Sequence, residues 1–145
     1  MSENIKRIKA KLLPIIFSLF AIMLISSCKT VSSIPEISTT NPKIGNKLQS
    51  DGHVIETGQD IPANSEKVIL EVLLNAPENS IIPLGFKWFY NEQLVYSHSN
   101  EFPPGYVMAT LERDPGKLDK FPIGHYGVEV WFLNTLLTTT PFDIK

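Results

Sequence analysis

Few side chains in this 145-residue chain could do covalent or metal chemistry. There is one cysteine, Cys28, and three histidines, His53, His98 and His125. Zinc sites that place two imidazoles on one helical face use HxxxH or HExxH spacing, and neither occurs here. A site assembled in space from His98, His125 and Glu101 is the one histidine constellation that spacing leaves open; three dispersed surface histidines are the plainer reading. No GxSxG elbow, Walker loop or dinucleotide glycine pattern is present. Glu112, Asp114 and Asp119 flank a turn, but Arg113, Lys117 and Lys120 interleave them, which suits a solvated charged loop rather than calcium. A lone cysteine makes no internal disulfide and no cysteine-rich metal site. The sequence therefore offers no catalytic residue, no cofactor and no metal. A hydrolase or metal enzyme is a distant alternative.

Recognition is the chemistry that remains. Lys87 and Phe89 alternate with Trp88 along one segment, and Glu129 and Trp131 alternate with Val130 along another. If the two segments are strands lying side by side, Lys87, Phe89, Glu129 and Trp131 share one outward face. Lys87 and Glu129 would pair across strands beside two aromatic anchors, the composition typical of a binding patch.

The elements that must position these residues read as strands. Lys67–Leu74 sets Val68, Leu70, Val72 and Leu74 on one face and Glu71 on the other, the period of a strand with one buried side. Gly85–Tyr90 and Leu94–His98 flank an expected hairpin turn at Asn91-Glu92, and Gly124–Leu133 and Leu136–Ile144 flank a second at Asn134-Thr135. Tyr106–Glu112 lies between Pro103-Pro104-Gly105 and the turn Asp114-Pro115-Gly116-Lys117. A short strand near His53–Thr57 completes about seven. Trp88-Phe89-Tyr90-Asn91 and Trp131-Phe132-Leu133-Asn134 resemble each other, which would turn both tryptophans inward. The longer alternation from Tyr126 to Val130 sends Trp131 outward instead, and it is followed here. Short strands with regular turns and no long helical period predict an all-β antiparallel sandwich.

On these residues the chain resembles the immunoglobulin-like superfamily. Trp88 stands on the third main strand, where such domains often bury a tryptophan. Pro122-Ile123-Gly124-His125-Tyr126-Gly127-Val128 is similar to the tyrosine-corner segment entering strand F. The resemblance implies that the Tyr126 hydroxyl bonds upstream backbone. It also implies that Val128 takes the place of the second cysteine of antibody domains, so apolar packing alone closes the core. Such a fold fixes no function by itself.

The N-terminus carries a different message. Lys6, Arg7, Lys9 and Lys11 precede an apolar stretch, Leu12–Ile25, that ends in Ile25-Ser26-Ser27-Cys28. As a helix these 14 residues would span about 21 Å, short of a hydrocarbon core of about 30 Å, which favours a secretory signal over a membrane span. The end of the stretch resembles the lipobox of bacterial lipoproteins. The resemblance implies cleavage before Cys28, lipidation of its thiol with diacylglycerol, and a membrane anchor whose acyl chains include palmitate. Lys29, rather than aspartate, is the default for export to the outer membrane in the enterobacterial pattern.

The expected organisation is a signal peptide over residues 1–27, a lipidated cysteine and flexible tether over 28–47, and the immunoglobulin-like domain over 48–145. Aromatics guide the last boundary: between Cys28 and Gly85 there is none. With 43% hydrophobic residues the chain is too apolar to be wholly disordered. Its net charge of -2 becomes about -5 once the signal peptide is removed, which gives no support to nucleic-acid binding. These features predict a lipid-anchored, non-enzymatic module of the bacterial envelope with a protein partner. Carbohydrate or peptidoglycan binding through the same aromatics is the alternative.

Overall fold

The computed structural model describes residues 36–145. The expected signal peptide, Cys28 and the first part of the expected tether lie outside the described residues. Ten strands follow in order: β1 (Ser38–Gly45), β2 (Lys47–Leu48), β3 (Val54–Ile55), β4 (Asp60–Ile61), β5 (Lys67–Asn75), β6 (Ile82–Tyr90), β7 (Gln93–Phe102), β8 (Gly105–Glu112), β9 (Gly124–Phe132) and β10 (Thr135–Ile144). Seven are long; β2, β3 and β4 have two residues each, and the short strand expected near His53–Thr57 is β3. No helix occurs among the described residues.

The long strands form two sheets, β1-β5-β8 and β4-β10-β9-β6-β7, and β2-β3 make a small hairpin. All long pairings are antiparallel, while β4 runs parallel to the end of β10. This is an all-β immunoglobulin-like sandwich. Alternation builds it: Val107, Ala109 and Leu111 from β8 meet Phe86, Trp88, Val128 and Val130 from the facing sheet, all buried. Trp88 is fully enclosed, edge-on to Phe142 at 6.3 Å between ring centroids. Val128 is opposite Trp88 in register and equally buried, so aliphatic packing stands where antibody domains place a cystine.

Three details correct the sequence reading. The first concerns the tether. Ser38–Gly45, assigned to it, is a strand paired along β5 from Ser38↔Asn75 to Gly45↔Ile69, and Lys47–Leu48 also pairs. An edge strand is held largely by backbone hydrogen bonds and needs little apolar surface. With Pro42 and a register shift between Thr40 and Lys43, this segment shows no clean period.

The second concerns Glu71, expected on an open face. It is fully buried, because the β2-β3 hairpin and the end of β1 cover that side of β5. Val54 N–H donates to its Oε2 at 2.9 Å, His53 Nδ1 lies 3.0 Å from the same oxygen, and Lys43 Nζ stands 3.5 Å from Oε1. Burial pushes its pKa up, but the Val54 N–H, His53 and Lys43 outweigh burial and hold it below the ordinary value.

The third concerns the second hairpin. Its turn is Leu133-Asn134, since Phe132 pairs with Thr135. The first turn falls at Asn91-Glu92 as expected, and both residues have positive φ, the requirement of a type I′ hairpin.

Candidate functional site

The register of four strands lays out the outward face of the larger sheet as three rows. Leu136, Trp131, Gly85 and Ser99 form one row, and Thr139, Glu129, Lys87 and Ser97 the next. Pro141, Gly127, Phe89 and Leu94 form the third. A charged and hydroxylic row therefore separates two apolar ones. Two rows of separation place Trp131 and Phe89 about 14 Å apart, given a rise of about 3.4 Å per residue and strands about 4.8 Å apart.

All four sequence-predicted residues, Lys87, Phe89, Glu129 and Trp131, lie on this face, and each is half-buried. Lys87 and Glu129 are directly opposite in register. They do not form an ion pair within bonding distance. Instead both engage Trp131: Lys87 Nζ sits 4.3 Å from the indole centroid, and Trp131 Nε1–H donates to Glu129 Oε2 at 2.8 Å. The ring is clamped from its face and its edge, which fixes its rotamer before any partner arrives.

Trp131 faces outward for a local reason. Trp88 stands three positions before its turn at Asn91, and Trp131 only two before Leu133. A one-residue offset moves a side chain to the opposite face.

Beside this clamp lies an open groove of about 600 Å³. Phe89 and Glu129 line it, together with Thr139, Gly127, His125 and the Asn91-Glu92 turn. Gly127 leaves a trough because no side chain rises from the middle of β9. At one end His125 Nδ1 meets Asp143 Oδ1 at 2.5 Å, and Asn91 Oδ1 accepts the His125 N–H at 3.3 Å. The underside is held by Tyr126, whose hydroxyl donates to the Pro122 carbonyl at 2.9 Å, the upstream backbone bond that the tyrosine corner implies. Burial, with Tyr90 beside it, pushes the Tyr126 phenol up to about 12, so it remains a donor throughout the physiological range.

The groove residues His125, Gly127 and Thr139 were absent from the sequence-predicted binding patch, His125 having entered only with His98 and Glu101. One signal was there to read: Gly127 shares the parity of Glu129 and Trp131, and an outward glycine within a strand marks a trough. Which strand supplies the wall is a matter of pairing.

The histidines remain apart in role. His98 stacks between Phe86 and Tyr96, with centroids at 5.1 and 5.3 Å, and burial lowers its pKa. Among the described residues no three of His, Cys, Asp and Glu are grouped to hold a metal ion, so His98, His125 and Glu101 are not brought together. Asp114, Pro115, Gly116 and Lys117 form the expected turn, with the Gly116 N–H donating to Asp114 Oδ1 at 2.9 Å and Lys117 paired to Asp114 at 3.1 Å.

No protein-family model matches this chain, and no curated protein matches it by sequence. Among solved structures it is similar to an immunoglobulin-like protein from Pseudomonas aeruginosa, with a TM-score of 0.56 and 15% identity over 79% of this chain and 100% of that one. That likeness shows the fold. Two others are more distant. An alkylpurine DNA glycosylase from Pseudomonas fluorescens, bound to DNA with an abasic site analog, has a TM-score of 0.48 and 13% identity over 76% of this chain and 30% of that one. A superoxide reductase (neelaredoxin) from Ignicoccus hospitalis has a TM-score of 0.42 and 15% identity over 81% of this chain and 88% of that one. Neither carries an argument about this protein.

Proposed function

We propose that this protein is a non-catalytic binding module, lipid-anchored through Cys28 to the bacterial envelope at the outer membrane, that contacts a protein partner through the outward face of its larger sheet. The observation that carries the reading is the Lys87–Trp131–Glu129 clamp. An indole fixed by a cation over its face and a carboxylate on its N–H is preorganised, so binding costs little side-chain entropy. Tryptophan with a polar rim is also the commonest kind of energetic anchor in protein interfaces.

The test is crosslinking in intact cells with the full-length protein and its Trp131→Ala variant. Capture of the partner falls about tenfold in the variant, the loss of an anchor worth about 1.4 kcal/mol. Its circular dichroism and melting stay close to those of the parent. Unchanged capture, or loss of the fold, sinks the reading. The anchor has its own check: Cys28→Ala abolishes incorporation of labelled palmitate, and persistent labelling rejects it.

The groove supports a second reading, in which a carbohydrate or peptidoglycan chain lies against Phe89 with His125, Glu129 and Asn91 as polar contacts. Retention on a sugar-polymer resin that is lost in Phe89→Ala would favour it.

A further inference from the structure

The smaller sheet ends on β8 and the larger on β7, and among the described residues neither outer edge has a hydrogen-bonded neighbour. The two edges are joined at one end through Pro103-Pro104. Toward the other end a groove of about 730 Å³ lies between Val95 and Tyr96 of β7 and Thr110, Leu111 and Glu112 of β8. Val95 and Tyr96 are 50% and 46% exposed, large apolar surfaces on the rim of a sheet. The remaining edges are protected: β4 has two residues, and β1 is interrupted by Pro42 and a register shift. β8 has no such device. It pairs with β5 without a break from Lys67↔Glu112 to Leu74↔Gly105, so its far side presents a regular row of backbone donors and acceptors.

We infer that this groove receives an extended segment of a partner protein, added as a strand to the free edge of β8 over Met108–Glu112. A row of strand N–H and C=O groups is matched by another extended backbone. Alternate side chains of that strand fall on Val95, Tyr96 and Leu111, so those positions are apolar. Charge fixes the end of the motif. Asp114 is already paired with Lys117, whereas Glu112, exposed at the close of β8 and opposite Lys67 in register, makes no ion pair within 4 Å among the described residues. The incoming strand therefore places a lysine or arginine beside Glu112. This groove shares no lining residue with the Phe89 groove, so either surface can fail without the other.

The test uses the full-length chain in detergent and a synthetic capped peptide of alternating valine and threonine with one terminal lysine. Amide hydrogen exchange is followed by mass spectrometry. Added peptide slows exchange of the outward-facing amides within Met108–Glu112, every second one along the strand, by at least about tenfold. Glu112→Gln weakens peptide binding by about twofold to fivefold, the range of an exposed ion pair. A peptide N-methylated along one edge gives no protection. The inference is overturned if β8 is not protected, if the N-methylated peptide binds equally well, or if raising the concentration of the chain alone protects β8. The last result would mean that a second copy closes the edge.

Discussion

Glu71, through its bonds, and His98, through its burial, set pH responses in different windows. The folded-state pKa of Glu71 lies below its ordinary value of 4.5. Its contribution is therefore complete above about pH 4.5 and is lost as pH falls through the folded-state value, where the unfolded chain binds the extra proton. The pKa of His98 is lowered from 6.5 by burial, and its Nδ1 is buried without a partner. Its protonation-linked cost is nil above about pH 6.5 and grows as pH drops below, because the unfolded chain protonates first. Urea unfolding as a function of pH should separate the two. His98→Phe keeps the stack between Phe86 and Tyr96 and flattens the slope that sets in as pH falls below 6.5. Glu71→Gln leaves that slope in place, removes the dependence at lower pH, and costs about 1–2 kcal/mol at neutral pH through the weakened bonds to Val54 and His53.

At the scale of elements, hairpin turns decide which faces meet. Asn91 and Glu92 sit at φ 44° and 68°, and Leu133 at 52°. Asparagine tolerates this region; glutamate and leucine are strained there by about 1–2 kcal/mol. Glu92→Gly relieves that strain and gives back about 0.5–1 kcal/mol in chain entropy, so thermal unfolding should show a net gain of about 0.5–1 kcal/mol. Asn91→Gly should show none, since it also loses the acceptor for the His125 N–H. The same turns explain the two tryptophans. Their local sequences are nearly alike, yet β6 runs one residue further before turning than β9 does, and the indoles end on opposite faces.

For the whole molecule, the decisive feature is how the first strand closes the smaller sheet. β1 brings Ile44 into the core and Lys43 to Glu71, and it covers the edge of β5. A chain beginning at Leu48, where the domain was expected to start, loses all three. Its melting temperature should fall by about 10 °C or more, whereas a chain beginning at Glu36 retains all ten strands and should melt with the parent. Equal melting of the two would show that β1 is dispensable.

The sequence by itself determined what the pleat determines. Alternation is local, so the central residues of β5 to β10, the inward course of Trp88, Val128 and Tyr126, and the outward course of Lys87, Phe89, Glu129 and Trp131 were legible residue by residue. Only the tertiary structure decided which strands became neighbours. Pairing turned an aromatic-free polar segment into β1 and covered Glu71. It set Gly127 against Phe89 to open the first groove and left β8 bare along the second. These outcomes depend on non-local backbone pairing and shared packing, which leave little trace in the composition of any one segment.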